Sequence, residues 1–183
     1  MAEVQMPNIP QDEAQRVRGY LIAQANKLSL PELVEKVRAD SAQLRPAAAS
    51  VPAARFNEKP GPDDWSAAEV FTHVLEMNER GAAAIESIIA TGQKPAGVED
   101  MISGATREEL TTAEDYWQAF VSRREQLLAA VLKAKGDEHL DISITHPLFG
   151  PLSWREWLLF MRVHDLDHAP QIAGVPEALA DPA

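Results

Sequence analysis

The chain contains no cysteine, which removes disulfides, thiolate metal sites and cysteine nucleophiles together. It also lacks any apolar run near the roughly 18 residues that a membrane-spanning helix needs. Its opening stretch, MAEVQMPNIPQDEAQ, has neither the basic head nor the apolar segment of a signal peptide. Positive charge is scarce, with 17 Lys and Arg against 28 Asp and Glu, for a net charge of −11. The excess acid is spread along the chain, and no basic cluster stands against it. That argues against nucleic acid or an anionic membrane as a partner, because phosphate binding needs grouped Lys and Arg. A cytoplasmic protein is the expectation. What remains is a 45% apolar chain of 183 residues, enough for one domain with its own core.

Helix starts are the clearest signal. Ser29 with Glu32, Ser66 with Glu69, Thr111 with Glu114 and Ser153 with Glu156 all have capping-box spacing. In that motif the hydroxyl takes a first-turn N–H and the Glu side chain reaches back to the cap. Each is followed by apolar residues at a period of 3.6. The helices should run from Leu30 to Arg45, where Pro46 stops or kinks the first, then Ala67 to Thr91, Thr112 to Lys135 and Trp154 to Val175. Their inward stripes read Leu33, Val37, Leu44; Val70, His73, Met77, Ala84, Ile88; Trp117, Phe120, Val121, Leu128, Val131; and Trp157, Met161, His164, His168, Gln171, Val175. Four amphipathic helices bury those stripes against one another as an all-α, four-helix bundle.

Residues 1–28 form an N-terminal extension, an unstructured lead-in through Pro10 followed by a short helix over Gln11 to Leu28. That helix packs on the outside or exchanges with a second subunit. Residues 29–176 form the bundle and 177–183 a tail. The 20 residues from Thr91 to Leu110 are long enough for a crossover or a partial lid. Ile142 to Ser153 reads as a short extended clip over one bundle end.

The chemistry lies in the histidines. On the last helix, His164 and His168 fall within the same arc of about 80° as Trp157, Met161, Gln171 and Val175. An imidazole pair spaced i, i+4 on one helix face can hold a divalent metal. His73 occupies the inward stripe of the second helix and is the candidate third ligand. His139 and His146 lie between helices, with surface or structural duty expected of both. The HDLDH run resembles a zinc-peptidase motif only superficially, because Asp165 stands where a longer Glu would act as base and no further ligand follows His168.

WSAAEVFTHVLEMNER, followed far downstream by HPLFGPLSWREWLLFMRVHDLDHAPQI, resembles the DinB-like superfamily, also described as the YfiT-like metal-dependent hydrolases. The matching features are Trp65-Ser66 opening the helix of His73, the loop from His146 to Gly150, and His164 and His168 followed by Gln171 and Ile172. The likeness spans roughly residues 30 to 175. It implies up-down-down-up connectivity, frequent dimerisation and a divalent metal on three histidines. It also implies that some relatives use low-molecular-weight thiols such as bacillithiol or mycothiol in transfer or isomerisation. Many relatives carry a histidine directly before the last ligand, where this chain has Asp167.

Three neutral imidazoles would leave a divalent charge uncompensated and a coordination position open. Zinc and nickel suit nitrogen ligands best, and manganese and iron are compatible. Around His73, His164 and His168 the candidates for catalytic support are Asp167, Gln171 and Arg80. Arg80, spaced i, i+4 from Glu76, suits a bundle-edge salt bridge first and an anionic substrate group at the site mouth second. The histidine spacing together with the resemblance implies a metal-dependent hydrolase or thiol-dependent transferase or isomerase acting on a small molecule, with a thiol cosubstrate in the latter case. The alternatives are a non-catalytic dimeric bundle with structural histidines or a structural metal, and a small-ligand binding protein.

Overall fold

A computed structural model of the chain describes residues 10–98 and 105–180. The lead-in before Pro10, the middle of the Thr91 to Leu110 connection and the last three residues of the expected tail lie outside the described residues. Helix α1 (Gln11–Lys27) precedes α2 (Leu30–Ser41), a short α3 (Leu44–Ala49), α4 (Ala67–Thr91) and α5 (Ala113–Val131). An antiparallel hairpin of β1 (Ser143–His146) and β2 (Gly150–Ser153) then leads into α6 (Trp154–Ala180).

The helices begin where side chains satisfy the free first-turn N–H groups. Glu32 accepts the Ser29 N–H at 2.8 Å, Glu69 the Ser66 N–H at 2.8 Å, and Glu156 the Ser153 N–H at 2.8 Å. The third box is shifted by one residue. Asp115, not Glu114, accepts the Thr112 N–H at 2.8 Å, because the Glu114 carboxylate is taken by Gln118 at 2.7 Å and Arg45 at 3.2 Å.

Pro46 acts upstream of the position expected. It cannot donate to the carbonyl of Ala42, so the chain tightens there, with Arg45 N–H bonding Ala42 O at 3.3 Å. The break falls between α2 and α3, and Pro46 occupies the first turn of α3, where its missing N–H costs nothing. The third bundle helix likewise ends at Val131 and not Lys135, through turns closed by Lys133 N–H on Ala130 O and Ala134 N–H on Val131 O.

Helix α6 runs through Pro170 and Pro176 to Ala180, so residues 177–180 extend the last helix rather than forming a tail. Each proline removes one backbone bond. Burial of Ile172, Val175 and Leu179 among Leu44, Phe71 and Trp117 outweighs that loss.

Cross-helix contacts fix the directions. Thr72 meets Tyr116, Asn78 meets Phe120 and Glu86 meets Arg123, so α4 and α5 run parallel. Asp40 and Ser41 of α2 meet Arg162 and Asp165 of α6, while Arg155 reaches back to Leu28, so these two also run parallel. His73 meets His164, and Gly81 lies against Trp157 and Met161, so α4 and α6 are antiparallel. The result is an up-down-down-up four-helix bundle. Parallel α4 and α5 place the end of α4 and the start of α5 at opposite ends of the bundle.

Helix α1 lies against α6 of its own chain. The Arg155 guanidinium donates to Ala25 O at 2.8 and 3.0 Å and to Gly136 O at 3.0 Å, holding the end of α1 to the start of α6.

Two apolar clusters fill the interior. One gathers α1, α2, the hairpin and the first half of α6; the other gathers α3, the starts of α4 and α5 and the second half of α6. Among the described residues no helix is long and apolar enough to cross a membrane.

Candidate metal centre

His73 lies two turns into α4, and His164 and His168 stack one turn apart on α6. Because α4 and α6 are antiparallel neighbours, the three rings turn toward a common point. His164 Nε2 is 3.0 Å from His73 Nε2 and 3.1 Å from His168 Nε2. The three form a group able to hold a metal ion. A tetrahedral ion bound at about 2.0–2.1 Å separates its nitrogen ligands by about 3.3 Å, close to the two spacings from His164, and the three ligand atoms together lie within 4.8 Å of one another.

The donor set fits a cation on the proton inventory as well. Gln171 Oε1 lies 2.9 Å from His168 Nδ1, and Gln171 Nε2 is 3.4 Å from Asp167 Oδ2. An amide oxygen can only accept, so the His168 proton sits on Nδ1 and its Nε2 presents a bare lone pair. His164 Nε2 carries at most one proton between two neighbours. At least two lone pairs therefore converge on the centre. The rear Nδ1 atoms of His73 and His164 are buried without a hydrogen-bond partner, so neither ring is anchored from behind by the protein.

Burial keeps all three rings neutral. It pushes His73 down to about 4, with the nearby His168 adding to the effect. Burial takes His164 well below its ordinary value, reinforced by His168, His73 and Arg124. His168 is also lowered by burial, against the opposing pull of Gln171, Asp167 and Asp165. Neutral imidazoles are the form that ligates metal.

The remaining sequence candidates separate. Asp167 and Gln171 are exposed and stand behind His168. Arg80 is half-buried on the His73 face of α4, about 10 Å further along the helix axis. Trp65, from the loop before α4, places its ring 5.4 Å from that of His73.

His146 folds inward but stays structural. Its Nδ1 accepts the backbone N–H groups of Leu148 at 3.1 Å and Phe149 at 3.3 Å, closing the hairpin turn. Its ring stacks on Phe149 and packs on Phe160, and burial lowers it to about 4. His139 packs against Gly92 at the end of α4.

Asp165 is where sequence reasoning missed most. It is 2% exposed and accepts from Ser41 Oγ at 2.6 Å and from Arg124 Nη1 at 2.9 Å. Burial pushes its carboxyl up, while Arg124 and Ser41 pull it back. Arg124 also donates to Ser41 Oγ at 2.8 Å and to Asn78 Oδ1 at 2.7 Å, and lies over the Phe120 ring. Its signal was legible: Arg124 sits between Phe120 and Leu128 on the inward stripe of α5, where a charge demands a buried partner.

A helical bundle presenting three convergent imidazoles defines a metal-associated fold class. The chain belongs to the DinB superfamily, which its sequence matches over residues 35–172. It is 24% identical over 139 residues to the uncharacterized protein YuaE of Bacillus subtilis (strain 168), covering 68% of this chain and 85% of that protein. Superfamily membership and the histidine cluster are together compatible with a divalent metal.

Proposed function

We propose that this chain is a divalent-metal-dependent enzyme with His73, His164 and His168 as Nε2 ligands. The observation that carries the reading is the convergence of three neutral imidazoles across α4 and α6, with His164 Nε2 3.0 and 3.1 Å from its two neighbours. When bound, the metal supplies Lewis acidity and activates water or a thiol at an open position. Gln171 fixes the His168 tautomer. Trp65 stands beside His73 as an apolar wall. Hydrolysis and thiol-dependent transfer or isomerisation both fit this arrangement, with zinc or nickel the favoured ions. A cytoplasmic homodimer acting on a small molecule completes the reading.

A second reading, a non-catalytic bundle in which the metal ties α4 to α6, is favoured by one observation. Asp165, the acid adjoining His164, is fully engaged by Arg124 and Ser41 and offers no base.

Elemental analysis of untagged protein beside the His73→Ala and His168→Ala variants tests the site. Near-stoichiometric metal in the wild type, lost in both variants, supports it. No metal after reconstitution with zinc, nickel and manganese would refute it. Turnover of activated esters, amides or thiol cosubstrates by the loaded protein then separates the enzyme from the structural reading.

A further inference from the structure

We propose that Arg124 is a positioning residue for the three-histidine site, setting the rotation of α6 relative to α4 so that His164 and His168 meet His73. This inference rests on the metal-site reading above.

Helices α2 and α5 supply no histidine to the cluster, yet both grip α6 beside it. Asp165 follows His164 directly, and successive residues point about 100° apart around a helix. Fixing the Asp165 carboxylate therefore fixes the direction of the His164 ring. Ser41 of α2 and Arg124 of α5 hold that carboxylate at 2.6 and 2.9 Å. The same guanidinium donates through Nε to Asn78 of α4 at 2.7 Å, five residues beyond His73. Asn78 is itself pinned, donating to Phe120 O at 3.0 Å. One cation thus contacts both ligand-bearing helices, one residue from His164 and five from His73.

Stability alone does not account for this pair. Arg124 and Asp165 are each 2% exposed, and a buried ion pair commonly gains nothing over well-packed apolar side chains of the same volume. Apolar contact is also non-directional. It would let α6 turn in its groove by the small angle that parts three nitrogens lying 3.0 and 3.1 Å apart. A guanidinium has fixed, planar donor directions and tolerates no such rotation. The polar group lies between the two apolar clusters: on α5, Arg124 falls between Phe120 of one and Leu127 of the other.

The test compares wild type with Arg124→Lys, which keeps the charge but not the fork, and Arg124→Met/Asp165→Leu, which removes both charges. Leu21→Ala, a buried change in α1, a helix that supplies no ligand to the cluster, serves as the control for destabilisation. Zinc affinity, the visible spectrum of the cobalt-substituted protein and the melting temperature are measured on each. Positioning predicts at least tenfold weaker zinc binding and altered cobalt bands in whichever Arg124 variants remain folded, even where the melting temperature matches wild type. Leu21→Ala should lower the melting temperature and leave the cobalt bands unchanged. Wild-type zinc affinity and bands in a folded Arg124 variant would overturn the inference alone. Unfolding of both Arg124 variants would also overturn it, making the guanidinium a requirement of the fold. A wild-type chain that binds no metal would overturn the proposed function, and this inference with it.

Discussion

Gln171 holds His168 from behind, its Oε1 lying 2.9 Å from His168 Nδ1 while the front nitrogen faces His164 at 3.1 Å. Partners of this kind, which orient a ligand and raise its basicity, typically change metal affinity by about 10–100-fold when removed. Gln171→Ala should weaken zinc binding within that range, and Gln171→Glu, which keeps an acceptor, should restore it. Chelator competition on the two variants decides the matter. Equal affinity in Gln171→Ala and wild type would show that Gln171 only decorates the surface.

Acid should destabilise the metal-free protein in a window set by its buried histidines. His73 and His146 are displaced from 6.5 to about 4. Between those values the unfolded chain binds protons that the folded one refuses, so stability is full above about pH 6.5 and falls as pH drops toward 4. One such displacement amounts to roughly 3 kcal/mol when complete. Asp165, raised by burial, works in the opposite sense. Urea unfolding at pH 7.5 and pH 5 should show the loss, and His146→Asn should reduce it.

Gly81 permits the close approach of α4 and α6. A Cβ there would stand 2.7 Å from Met161 Sδ and 2.9 Å from Trp157 Nε1. Met161 can swing away, but Trp157 is wedged against His146 and Phe160. Gly81→Ala should therefore destabilise by about 1–3 kcal/mol through overpacking, despite alanine's better helix propensity. Because His73 lies about two turns away on the same helix, metal affinity should fall too. A stabilised variant in calorimetry would contradict this account.

Arg155 fastens α1 by donating to Ala25 O at 2.8 and 3.0 Å and also to Leu28 O. Bonds from a charged donor contribute about 1.5–3 kcal/mol each. In Arg155→Ala, hydrogen exchange should accelerate across residues 11–27 while metal content stays at the wild-type level. Unchanged protection of α1 would mean that packing of Leu21 and Ala25 alone holds it.

The fold was legible because its punctuation is local. Ser29, Ser66 and Ser153 cap helices where their spacing to Glu32, Glu69 and Glu156 indicated, and Leu33, Val37 and Leu44 lie inside. Errors arose where two local signals competed, as with Glu114 and Asp115 at the start of α5, or where tertiary burial overrode a breaker, as with Leu179 beyond Pro176. Spacing brought His73, His164 and His168 to inward faces, but it could not reveal that α4 and α6 run antiparallel with the rings at one level. The Arg124 to Asp165 pair was hidden for a different reason. Reading acids as surface residues is sound on average, and only the matching intrusion of Arg124 on another stripe marks this one as internal.

His73 and His164 stand 91 residues apart in the chain. A metal ion held between them would close a loop of that size, and a covalent cross-link over such a span restricts the unfolded chain by roughly 4–5 kcal/mol. In a protein without cysteine, the imidazoles would then serve as a reversible staple, released by acid or a chelator where a disulfide would need a reductant.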